Sequence, residues 1–282
     1  EGASLEETDR VLAAAAERLN GIPEIVSVQA YAGTAAPFNF NGLVRHYYLR
    51  DAPHMGDLQV NLTGKDHRDR ESHAIALEVR ERLKDTPAPE GTSIKVVEVP
   101  PGPPVLATLL AEIYGPDAET RRETARKVQQ AFESVDFVVD VDNSFGRVTE
   151  RLRIAIDQEN LEFHGVEQEH VYDTIGALFG GKTVGYSHRG AGADPVEIAI
   201  RLPKSDLTID RSVLATPVPG RNGFVELGDV VTVEREASSH ILFRRDGRYA
   251  DMVTADVAGR FEAPIYGMME VQEKLDAMDW GP

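Results

Sequence analysis

The chain has 282 residues, 41% hydrophobic and 27% charged, which suits a globular protein with more than one core. Its formal net charge is −17, so a phosphate polyanion is disfavoured as a partner, because nucleic-acid binding rests on Lys and Arg neutralising phosphates. It has no cysteine, hence no disulfide or thiolate chemistry, and no apolar run approaches the ~18–20 residues of a membrane span.

In chain order, Ser4 and Glu7 form a capping box. Leu5, Thr8, Leu12, Ala15 and Leu19 recur at helical spacing, predicting an amphipathic helix over 4–19. Alternation predicts a strand over 25–31. The segment 32–55 carries Phe38, Phe40, Tyr47 and Tyr48 without a clear period, and unstructured loops of that length are uncommon and often functional. Leu58, Val60 and Leu62 mark a strand, Ile75, Val79 and Leu83 a helix over 68–83, and 93–99 another strand. With one strand placed before residue 1, this order is β-α-β-β-α-β, the split βαβ unit.

The PPGPP run at 100–104 reads as a boundary. A strand at 106–114, a helix capped by Asp117 and running to Ser134, and a strand at 137–141 follow. Further on come extended segments at 182–188 and 195–202, short strands around Gly228 and Asp229, and a strand pair formed by 241–244 and 252–257 about the hairpin signal Asp246, Gly247. A last helix is predicted over 262–278. The first unit's order thus returns with residues 151–237 inserted. Both ends, EGASLEE and DWGP, read as internal to a longer protein.

The stretch IDQENLEFHGVEQEHVYDTIGALFGG at 156–181 predicts a strand that breaks at Asp157, a turn at Gly165 and one helix over 167–179 stopped by glycines. GALFGGKT at 176–183 satisfies the phosphate-loop pattern letter for letter, but that pattern needs a strand before it and a helix after it. Here the order is reversed, and the reading is a helix end. His67 and His73, like His164 and His170, lie six apart, which does not bring two imidazoles onto one helical face. No coherent catalytic set and no metal site are read, so an enzyme is not favoured. The aromatic side chains at 38–48 either pack down as satellite core or line a cleft.

Several separated motifs carry a resemblance. EGASLEETDRVL at 1–12, IPEIVSVQAYAG at 22–33, IDQENLEFHGV at 156–166, FVELGDVVTVE at 224–234 and FRRDGRYADMV at 243–253 resemble, in order, the periplasmic loop of RND (resistance–nodulation–division) efflux transporters of the AcrB/AcrD/AcrF type, and DWGP is more like the second large loop. The resemblance implies an α+β fold of two ferredoxin-like (βαββαβ) porter subdomains, at 1–103 and at 104–150 with 238–282, and an inserted α+β docking subdomain at 151–237. It implies a periplasmic portion of a bacterial inner-membrane protein, driven by protons through membrane helices not in this chain. The full transporter would be a homotrimer meeting a periplasmic adaptor and an outer-membrane channel, with a small-molecule efflux substrate, no cofactor and no nucleic acid.

The loop at 34–48 resembles the family's switch loop. The implied substrate-binding residues are Phe38, Asn39, Phe40, Asn41, Gly42, Leu43, Tyr47 and Tyr48. The family's metal-exporting branch uses methionine thioethers in the cleft, whereas here Met55, Met252, Met268, Met269 and Met278 all lie outside 34–48. Soft Cu(I)-type export is therefore disfavoured, and an amphiphilic organic substrate, as in multidrug export, is expected. The alternatives are metal-ion efflux, or a free-standing α/β ligand-binding protein or enzyme.

Overall fold

The computed structural model describes residues 2–37, 40–98, 106–190, 192, 194–259 and 263–280. The chain forms two compact units, Glu1–Thr149 with Ser239–Pro282, and Glu150–Ser238.

The first unit opens with α1 (Leu5–Arg18), β1 (Ile25–Ala32), α2 (Phe40–Val44), β2 (Gly56–Leu62) and α3 (Ser72–Leu83). Ser4 caps α1 by accepting a hydrogen bond from the Glu7 amide at 3.2 Å. Only half of the expected capping box forms, because the Glu7 carboxylate turns to Arg10, at 2.9 Å from Nε. β1 and β2 pair antiparallel, with Ala30 opposite Leu58. Ala15, Leu19, Ile75, Val79 and Leu83 form the buried core beneath them, each large aliphatic contributing roughly 1.5–3 kcal/mol by burial.

The expected strand at 93–99 is not one over its described part, 93–98. Ile94 and Val96 pack on that core, but β1 and β2 pair only with each other and no ladder reaches 93–98. A strand exists only where a neighbour supplies hydrogen-bond partners, which periodicity alone does not report. The boundary at 100–104 lies outside the described residues.

The chain continues through β3 (Leu109–Ile113), α4 (Ala118–Glu133) and β4 (Val138–Asn143). It then enters the second unit: β5 (Glu150–Ile156), α5 (Gln158–His164), α6 (Gln168–Ile175), β6 (Lys182–Ser187), β7 (Val196–Ile200), α7 (Arg211–Leu214), β8 (Pro217–Gly220), β9 (Gly223–Glu226) and β10 (Val231–Ala237). It returns to the first unit with β11 (Arg244–Arg245), β12 (Arg248–Tyr249), β13 (Asp251–Val257) and α8 (Pro264–Asp276).

Asp117 caps α4 by accepting from the Thr120 amide at 2.9 Å, as its position predicts. The sheet order is β3-β13-β4, all antiparallel neighbours. These are the first, third and second strands of a ferredoxin-like unit, split by the second unit. The expected pairing of 241–244 with 252–257 does not form. The turn at Asp246 and Gly247 closes only the two-residue ladder of β11 and β12, and β13 passes on between β3 and β4. Val253, Ala255 and Val257 pack with Phe132 and Val128 of α4 and Val271 of α8. Gly267 lets α8 come close, since a Cβ there would sit 2.9 Å from Leu109 and Val257 side-chain carbons.

In the second unit β5 and β10 pair antiparallel, and Leu161, Val171, Val218, Leu227 and Val230 form its core. The single helix expected over 167–179 is α6 followed by a wider helical turn at Gly176–Gly180. The sequence shows no helical period for α5, because it spans only seven residues and buries only Leu161. Asp157 accepts from the Asn160 amide at 3.1 Å. Gly165, at φ 60, ends α5 in the left-handed conformation that glycine adopts without steric cost.

The fold is α+β, with ferredoxin-like units and an inserted α+β unit. Among the described residues no helix is long and apolar enough to cross a membrane.

Candidate functional site

Within the first unit, the described residues between β1 and β2, 36–37 and 40–50, leave one ferredoxin-like part, reach the other and return. Its two feet are tied to β2. The Ala36 amide donates to the Asp57 carboxylate at 3.0 Å, and Arg50 reaches the same carboxylate at 3.2 Å and the Gly56 carbonyl at 3.0 Å. Between the feet the segment is helical in two short pieces, α2 and a tight turn at Tyr47–Leu49. His46 joins them at φ 58, a left-handed conformation costing a non-glycine residue roughly 1–2 kcal/mol.

Its crest is tied to the other part. Arg45 is buried and forks onto Asp256 of β13, Nη1 to Oδ2 at 2.7 Å and Nη2 to Oδ1 at 3.0 Å. The Thr108 amide adds a bond to Oδ1 at 3.2 Å, and the Thr108 hydroxyl donates to the same oxygen. Burial alone pushes Asp256 up. The Arg45 and Thr108 bonds outweigh it and hold the carboxyl below its ordinary value. Burial likewise lowers the Arg45 guanidinium, and the bonds and charge of Asp256 leave it raised.

Two more ion pairs join the same two parts. Arg80 of α3 bonds Asp140 of β4, and Lys95 meets Asp142 at 2.5 Å. Asp140 is itself left-handed, φ 56, where two residues of β4 oppose one of β13. Burial raises its pKa against the pull of Arg80, and the charge of Asp256 adds to the rise.

The substrate-binding residues expected from the sequence separate by exposure. Phe40, at 55% exposed, is not packed into a core. Leu43, Tyr48 and Leu49 are exposed beside it, Leu49 at 69%. Gly42 lies within α2 and is half-buried. Tyr47 is half-buried under the Arg50 guanidinium, 5.5 Å from its ring centroid, and burial raises its pKa. Tyr48 meets His46 edge-on at 6.0 Å. Phe38 and Asn39 lie outside the described residues, as does the Asn41 side chain.

Arg45, Thr108 and Asp256 escape a sequence reading. Arg45 sits in an aperiodic segment and Asp256 on the alternate positions of a strand, where charge reads as solvated. The one available signal was an aspartate within the apolar run 252–258. Elsewhere, a groove of about 360 Å3 lined by Glu17, Asn20, Val26 and Val28 borders none of these residues. GALFGGKT fails as a phosphate cradle in the structure too: the helix precedes it, and Lys182 opens β6. Among the described residues no three His, Asp or Glu side chains group to hold a metal ion.

Residues 1–275 match the AcrB/AcrD/AcrF family. The chain belongs to that family. The family is one of RND transporters, so this AcrB/AcrD/AcrF-family chain is a segment of such a transporter. It is similar to the cobalt-zinc-cadmium resistance protein CzcA of Cupriavidus metallidurans, 24% identical over 190 residues, 63% of this chain and 18% of that protein. It is also similar to the protein HelA of Legionella pneumophila, 26% identical over 187 residues, 62% of this chain and 18% of that protein. An X-ray structure of a heavy metal efflux pump superposes with TM-score 0.76 at 16% identity, covering 99% of this chain and 28% of that one. At that identity the likeness shows the fold. The chain spans about a fifth of the length of the curated relatives it matches.

Proposed function

We propose that this chain is the periplasmic substrate-handling and docking portion of a proton-driven efflux transporter of the bacterial inner membrane, and that the substrate is a divalent metal cation. One observation carries the substrate class: the similarity to a cobalt-zinc-cadmium resistance protein along 63% of the chain. It favours the metal-ion alternative over the amphiphilic organic substrate expected from the aromatic loop. The methionine distribution still argues against a soft Cu(I) ion, because none of the five lies in 34–48. Borderline cations such as Co2+ or Zn2+ accept oxygen and imidazole donors, and the chain carries 47 Asp and Glu and 8 His. On this reading residues 1–103 and 104–150 with 238–282 are the two porter subdomains. Residues 151–237 are the docking subdomain, and the transporter works as a trimer with a periplasmic adaptor and an outer-membrane channel.

The exposed Phe40, Leu43, Tyr48 and Leu49 favour one second reading, in which the loop 34–48 meets an amphiphile. Burying one such phenylalanine against a ligand is worth about 1.5–3 kcal/mol, roughly ten- to hundredfold in affinity. The two readings separate in a host lacking its own efflux pumps. With the full transporter expressed, tolerance of Co2+, Zn2+ or Cd2+ is expected to rise while tolerance of amphiphilic dyes stays at the host's level. Dye tolerance rising with metal tolerance unmoved overturns the cation reading in favour of the amphiphile.

A further inference from the structure

We infer that Arg45 is a positioning residue that makes the crest of the loop 36–50 follow the part of the first unit built on β3, β13 and β4. The inference rests on the reading of this chain as the substrate-handling portion of the transporter, whichever of the two substrate classes it takes. It starts from a difference between the loop's feet and its crest. Both feet are bonded to β2 of the first part, through Asp57 and the Gly56 carbonyl. The crest is bonded across to Asp256, 211 residues away in sequence.

The bond is made for position. A guanidinium fork on a carboxylate fixes distance and plane together, which a single ammonium contact does not. Asp256 cannot swing to follow the loop, because Oδ1 is also held by the Thr108 amide and hydroxyl. Asp256 sits on the face of β13 opposite the core residues Val253, Ala255 and Val257, in the middle strand of its sheet. The loop crest is thus anchored to a rigid element of one part while its feet ride on the other. A change in the spacing of the two parts must turn or stretch α2, and with it the exposed Phe40 and Leu43.

The Arg80/Asp140 and Lys95/Asp142 pairs hold the two parts together without Arg45. Loss of Arg45 therefore frees the loop and leaves the parts joined, and this distinguishes positioning from general support.

The chain has no cysteine, so nitroxide labels can be placed in pairs on introduced ones. Leu43→Cys with Lys127→Cys on α4 reports the loop against the second part. Leu77→Cys on α3 with Lys127→Cys reports one part against the other. Pulsed dipolar spectroscopy on the intact chain is expected to give a single narrow distance for each pair. Arg45→Ala should abolish the single peak of the 43/127 pair and leave that of 77/127 as it was. Asp256→Asn keeps the shape and should do the same, and Arg45→Lys should restore part of the peak. An unchanged 43/127 distribution in both Arg45→Ala and Asp256→Asn overturns the inference, as does equal broadening of both pairs. If Arg45→Ala unfolds the chain, Asp256→Asn decides by the same criteria. No substrate enters this measurement, so its outcome is separate from the metal and dye tolerances that test the function.

Discussion

Glu24 shows how one side chain can fasten two elements. It lies just before β1 with its carboxylate only 11% exposed, and the Arg70 guanidinium, just before α3, forks onto it with both bonds at 2.6 Å. Arg70 extends the chain of charge to Glu78 at 2.5 Å, and Arg82 closes it at 2.6 Å. The Arg70 bonds hold the Glu24 carboxyl at about 2, from an ordinary value of 4.5. A carboxylate whose pKa is depressed on folding stabilises the fold above its unfolded pKa, and the contribution fades as pH falls through the folded value. The contribution of Glu24 is therefore whole above about 4.5 and lost by about 2. Thermal melts across that window should show Glu24→Gln less stable than the natural chain at pH 7, the two curves converging toward pH 2. Parallel curves over the whole range would mean that Glu24 is not the titrating group.

The turn between α5 and α6 depends on a glycine. Gly165 sits at φ 60, and its amide bonds back to the Glu162 and Leu161 carbonyls. A Cβ there would lie 2.7 Å from the Cβ of Arg221, an atom that no side-chain rotation can move. The two helices also share one core with β8 and β10, through Leu161, Val171, Val218 and Val231. Gly165→Ala is expected to cost about 2–4 kcal/mol, from the left-handed backbone and the forced contact together. Urea unfolding should register the loss, and faster amide exchange in α5 and α6 should locate it. A change within ±0.5 kcal/mol, the range of neutral surface substitutions, would show that the turn relaxes instead.

The second unit is a continuous insertion whose two ends meet. Glu150 opposes Ala237 across the β5 and β10 ladder, so the chain leaves and re-enters the first unit at adjacent points. Its core shares no residue with the two clusters of the first unit. An insertion built this way can be removed with little strain, because the gap it leaves is short. Replacing 150–238 by a few Gly and Ser residues is expected to leave a cooperative melt within about 4 °C of the parent, the shift of roughly 1 kcal/mol at this size. A non-cooperative melt or loss of helical signal would show that the first unit needs its insertion to fold.

What was legible in the sequence was local. The starts of α1 and α4 depend on Ser4 and Asp117, each bonding an amide three residues on, and their buried faces recur at helical spacing. Most of the strand and helix order, the insertion and the family motifs were likewise readable, because each is written in neighbouring residues. The tertiary structure decided what depends on a distant partner. β13 became the central strand, and the expected partnership of 241–244 with it was lost to β3 and β4. The segment 93–98 packed as extended chain without a ladder. Arg45 and Asp256, charges that read as solvated, became a buried fork across 211 residues. Capping and periodicity act over a few residues and so are encoded where they act, whereas a ladder neighbour or a buried counter-charge exists only once packing has brought it there.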